Sequence, residues 1–179
     1  MNRRTEQDYA EEKGQLGFHA LLQGHYEKAA GMFSEAIEHL RAQATPQIYY
    51  ALCLDGLGQA RLGQQLFAEA EAPLEEALAL YENVFMDDSF GRYSVLCHLG
   101  LAASRQQAYG RAQMLYERAL TIGETALRDQ PLVLAHGCLE GYADVLRELN
   151  REGDAKLLDE RVKAIFNAAN SKAKPEVQS

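Results

Sequence analysis

An eleven-residue pattern occurs three times in the chain at a nearly constant interval, and it constrains the fold more than any other feature. It spans Tyr26 to Ala36, Phe67 to Ala77 and Tyr109 to Ala119. In each copy an aromatic residue is followed by Ala three residues on, a large apolar residue four further and Ala three further. Thus Ala29, Ala70 and Ala112 align, as do Phe33, Leu74 and Tyr116, and Ala36, Ala77 and Ala119. Offsets of three and four place these residues on one face of a helix. Thirteen residues before each first Ala stands a Leu-Gly pair, at Leu16-Gly17, Leu57-Gly58 and Leu99-Gly100. Each unit is therefore predicted to be two helices, the first approaching closely at its glycine and the second filling the space with its large side chain. Such a pair cannot bury both faces by itself, so copies must stack around a shared core.

The interval from Ala29 to Ala70 is 41 residues and from Ala70 to Ala112 is 42. A fourth, weaker copy covers Leu132 to about Ala169. There Tyr142-Ala143 replaces the Leu-Gly pair, and Ala155 lies 43 residues after Ala112. Its last helix is rich in charge, as expected of an end that faces water. The composition agrees with helices throughout: 47% hydrophobic, 25% charged, 4 Pro and no Trp in 179 residues, with Ala, Leu, Glu and Gln abundant. No stretch alternates in the manner of a strand. The expectation is a single all-α domain over 1–169, with repeats at about 8–42, 46–86, 89–128 and 131–169 and a disordered tail at 170–179. Thr45-Pro46 and Asp129-Gln130-Pro131 are read as helix starts, Asp87-Asp88-Ser89 as a turn, and Gly24 and Gly63 as C-terminal caps.

Leu-Gly, then the aromatic, then Ala-x-x-x-Phe/Tyr resembles the tetratricopeptide repeat. The long period, with Glu69-Ala70-Glu71-Ala72-Pro73-Leu74, is similar to the kinesin light chain type. The resemblance implies a right-handed α-solenoid of four antiparallel helix pairs. The aromatics usual in the first helix are missing, their places taken by Lys13, Leu54 and Leu96 and by Ala20, Arg61 and Ala103. It also implies that the first helices line a concave groove. The corresponding residues are Phe18 and Leu22, then Asp55, Gln59 and Leu62, then Cys97, Leu101 and Arg105, then Glu140, Asp144 and Glu148. Apolar spots alternate with carboxylates, which suits a peptide or helix bringing apolar anchors and basic residues. The Lys/Asn clamp of the chaperone-binding class is absent, since its positions carry Gly14, Phe18, Gly56, Ser94 and His98.

A net charge of −8 and a pI near 5.1 oppose nucleic-acid binding, which needs a basic surface. No run approaches the length of a membrane span, so no membrane insertion is expected. The three cysteines, Cys53, Cys97 and Cys138, form no Cys-x-x-Cys pair and are read as reduced thiols of a cytoplasmic protein. Five histidines give no metal-binding spacing, and Gly56-x-Gly58 follows no strand, so no metal, nucleotide or other cofactor is expected. Cys97 and His98 are adjacent and point about 100° apart on a helix, which disfavours a nucleophile and base pair.

Between Leu62 and Gly91 lies no Lys or Arg but seven acids, read first as a solvated outer face and second as a docking surface for a basic partner. The function expected is a non-enzymatic adaptor or scaffold that binds a segment of another protein in the groove. The alternative is a chaperone-like or secretion-type holder; a helical ligand sensor or enzyme ranks below both. Self-association through the open end of the array is a further expectation.

Overall fold

The computed structural model describes residues 6–41, 48–86, 88–126 and 135–172. They form eight α-helices, α1 (Glu6–Leu22), α2 (Tyr26–Arg41), α3 (Ile48–Gly63), α4 (Phe67–Asn83), α5 (Ser89–Arg105), α6 (Tyr109–Ala126), α7 (Ala135–Glu148) and α8 (Glu152–Lys172), with no strand among the described residues. Four helix pairs follow one another along the chain, as the repeat demands. The last helix runs through Asn170, Ser171 and Lys172, three residues into the segment expected to be disordered. The helix starts expected at Thr45-Pro46 and Asp129-Gln130-Pro131 lie outside the described residues. Asp88 caps α5 as expected of the turn there, accepting a 2.8 Å hydrogen bond from the Gly91 N–H.

All four turns within the pairs share one backbone solution. Gly24 enters the left-handed region at φ 73°, while its N–H donates to the Leu21 carbonyl and the His25 N–H to that of Ala20, both at 2.9 Å. This double hook is the Schellman closure of a helix. Gln65 (φ 63°), Gln107 (φ 63°) and Asn150 (φ 59°) repeat it, with Leu66 bonded to Arg61, Ala108 to Ala103 and Arg151 to Leu146. Gly63 is therefore not the cap. It is still inside α3, where an added Cβ would run into the Tyr26 ring of the preceding pair.

The core is a row of large plugs from the even-numbered helices seated on glycines of the odd-numbered ones. Phe33 of α2 is fully buried between Gly17 of α1 and Gly56 of α3. Tyr116 of α6 sits likewise between Gly100 of α5 and Gly141 of α7. Burying a side chain of this size contributes about 2–3 kcal/mol. The intervening plug is the smaller Leu74, seated on Gly58. In the third repeat the position matching Gly56 and Gly141, fourteen before the first Ala, is His98, so a smaller plug accompanies the larger wall.

The odd helices α1, α3, α5 and α7 each touch the next odd helix, whereas the even helices make no comparable backbone approach to one another. The even helices are bridged instead by long side chains. Arg41 reaches Glu76 at 3.3 Å, Arg111 reaches Glu71 and Glu75 at 2.7 Å each, Arg118 meets Glu82, and Arg161 meets Glu124 at 2.7 Å. With Glu69 3.7 Å from Arg61, the acidic run of α4 is an inter-repeat ion-pair ladder. Its carboxylates are engaged within the chain, which supports the structural reading of that run over a docking surface.

Candidate functional site

Close contact among the odd helices and splaying of the even ones makes the odd face the inner, concave one. Phe18, Gln59, Leu101 and Asp144 recur there at intervals of 41, 42 and 43 residues, in phase with the repeat. The first three are half-buried and Asp144 is exposed. Phe18 also packs edge-on against Phe33, ring centroids 4.8 Å apart, so the floor of the groove is tied directly to the core.

Other groove candidates fare differently. Leu62 is 9% exposed and belongs to the core, while Leu22 is 90% exposed at the end of α1. Glu140 and Glu148 are exposed, and Cys97 is half-buried. Asp55 is only 7% exposed and is the one buried charged residue of the described chain. Its Oδ1 lies 2.7 Å from His98 Nδ1, and its Oδ2 accepts a 3.1 Å hydrogen bond from Ser94 Oγ. Asp55 thus ties α3 to α5, and its carboxylate is not available to a partner. Burying it requires such partners, because an unpaired carboxylate costs several kcal/mol to dehydrate. Ser94 and His98, four apart on one face of α5, were legible only as positions where a clamp was missing.

The thiols and phenols nearby are held protonated by burial. Burial pushes the Cys53 thiol up to about 12. Burial and then the neighbouring Cys138 thiol raise that of Cys97 well above the ordinary range. His98 turns its Nδ1 to Asp55 rather than to Cys97, so no activated thiolate is assembled there. Among the described residues no group of three His, Cys, Asp or Glu side chains is placed to hold a metal ion, and no helix is long and apolar enough to cross a membrane.

Four of the groove candidates, Leu101, Arg105, Asp144 and Glu148, converge on one cleft of about 380 Å³ between α5 and α7. Gly141 opens its floor, and Tyr109 at the start of α6 closes one end. Arg147 also lines it, held by Asp144 at 2.8 Å and by Asp159 at 2.5 Å. Sequence reading missed Tyr109 and Arg147, which reach the cleft from outside the row of first-helix positions that marked the groove.

Residues 50–125, from α3 to α6, match the profile of the tetratricopeptide repeat family. These are tetratricopeptide repeats. Members of this family generally mediate protein–protein interaction and are generally non-enzymatic. No curated protein sequence matches the chain. Among solved structures, BtubC (BKLC) from P. vanneervenii is similar at a TM-score of 0.81 and 21% identity, covering 100% of this chain and 71% of that one. RapI, solved in its apo form, is similar at 0.80 and 12% identity over 96% of this chain, which spans 60% of RapI. A Podosopora anserina protein described as a kinesin light chain with nearly identical TPR-like repeats gives 0.72 at 16% identity, over 95% of this chain and 81% of that one. These likenesses support the tetratricopeptide solenoid and its long, kinesin light chain-like repeats. At such identities they show the fold alone.

Proposed function

We propose that this tetratricopeptide array is an adaptor that holds a segment of a partner protein, extended or helical, along its concave face. The observation that carries the reading is the row Phe18, Gln59, Leu101 and Asp144. It is in register with the repeat, at least half accessible, and set on the helices that pack inward. A side-chain row at one-repeat intervals gives a bound segment evenly spaced anchor points without any change in the scaffold. The outer face is a poorer candidate, because its carboxylates are satisfied by arginines of neighbouring repeats.

The test is selection from a library of random twelve-residue peptides on the immobilised protein. Peptides should be enriched, and their binding should be lost in Gln59→Arg with Leu101→Arg but kept in Glu38→Arg on α2. Equal retention by both would place binding elsewhere and sink the groove reading. Asp55 is unsuitable for this purpose. Replacing it leaves Ser94 and His98 without their acceptor, at a cost of about 1–3 kcal/mol, and would report on folding.

A further inference from the structure

Resting on the groove reading, we infer that the α5/α7 cleft is a subsite for a side-chain carboxylate of the partner, with Arg105 pairing the acid and Leu101 taking an adjacent apolar side chain. The expectation of a basic partner relied on groove carboxylates, and the structure shows these to be engaged. Asp55 is occupied by Ser94 and His98. Asp144 is paired with Arg147, which is itself shared with Asp159. Glu148 accepts the hydroxyl of Tyr109, and Glu140 also has an internal interaction.

Arg105 is different. It lines the cleft and is exposed, and no hydrogen bond or ion pair joins it to another described residue. A cation in the last turn of α5 suits the helix dipole, which accounts for its charge but leaves the five N–H donors of its guanidinium to water. A carboxylate matches that planar fork in two parallel hydrogen bonds. Leu101 stands one helical turn before Arg105 on the same face, so an apolar residue next to the acid would be covered as the ion pair forms. A chain-terminal carboxylate fits less well. It needs converging donors from several repeats, and of the clamp positions Gly14 and Gly56 offer no side chain while Ser94 and His98 are already spent on Asp55.

The peptide library distinguishes this subsite from the groove as a whole. Internal and free-C-terminal display formats are selected on the wild type, Arg105→Gln and Arg105→Glu, with helicity checked by circular dichroism. The wild type should enrich internal Asp or Glu beside Leu, Ile, Met or Phe. The best such peptide should bind about tenfold more weakly to Arg105→Glu and by a smaller factor to Arg105→Gln, and selection on Arg105→Glu should turn toward Lys and Arg. Enrichment without acids, or affinities within about twofold across the three proteins, overturns the subsite and leaves the groove reading intact. Enrichment only in the free-C-terminal format overturns the side-chain assignment in favour of a terminal carboxylate. If no peptide is enriched by the wild type, the groove and its subsite fall together.

Discussion

Glycine has opposite meanings at different residues of this chain, and substitution separates them. Gly56 backs onto the Phe33 ring, and a methyl there would lie inside the ring's van der Waals envelope. Gly31, on the exposed side of α2, has no neighbour within 4 Å of an added Cβ. Gly56→Ala should therefore cost about 1–3 kcal/mol through overpacking, whereas Gly31→Ala should add about 0.5–1 kcal/mol by removing backbone freedom from the unfolded chain. Urea titration of both variants checks the contrast; a stabilised Gly56→Ala would mean that Phe33 is not a fixed plug. The aligned Leu-Gly pairs made Gly17, Gly58 and Gly100 legible as close-approach sites. Gly56 and Gly141 were not, because they receive the plug of the preceding repeat and their role exists only once the repeats are stacked.

At the scale of the element, the repeat was read from the Ala positions alone, and the turns turned out to follow the same rhythm. The left-handed residues Gly24, Gln65, Gln107 and Asn150 are separated by 41, 42 and 43 residues, matching the intervals between Ala29, Ala70, Ala112 and Ala155. Sequence reading looked for a glycine at each turn and so chose Gly63, two residues too early. Glutamine occupies the left-handed site in two repeats despite the steric cost to an L residue with a Cβ. Gln65→Gly and Gln107→Gly should each stabilise the protein by about 0.5–1 kcal/mol, seen as a raised urea midpoint at unchanged slope. A lowered midpoint would mean that these glutamine side chains contribute more than their backbone strain costs. The groove was legible in part for a similar reason. Helix phase located Phe18, Gln59 and Leu101 on the inner face, but the burial of Asp55 depends on Ser94 and His98, 39 and 43 residues away, which no local pattern encodes.

For the molecule as a whole, many buried phenols make alkali the sensitive direction. Burial raises Tyr49 and Tyr142 to about 12 and lifts Tyr81, Tyr93 and Tyr116 further, while Cys53 rises to about 12. Each of these groups is held in its protonated form by the fold. Unfolded, the thiol releases its proton from near 9 and the phenols from near 10. Their contribution is complete below those values and is lost as pH climbs toward 12, at about 1.4 kcal/mol per pH unit for each group. Thermal melts should be insensitive to this set at neutral pH and fall steeply above about pH 10, with phenolate absorbance appearing together with loss of helix. Phenolate appearing well before unfolding would show that the rings titrate in place.

The two edges of the array are joined by different forces, and this gives it the mechanics of a leaf spring. The inner edge is fastened by aromatic plugs that salt barely affects. The outer edge is fastened by exposed Arg–Glu pairs, Arg41 to Glu76, Arg118 to Glu82 and Arg161 to Glu124, which salt screens. Releasing the outer fastenings lets the even helices spread while the odd ones stay seated, so the array should curl more tightly in concentrated salt. Small-angle scattering would record a shorter maximum dimension, whereas an unchanged profile would assign the curvature to the plugs alone. A segment lying along the inner edge would then feel the ionic strength even where it makes no ionic contact, through the bending of the strip it rests on.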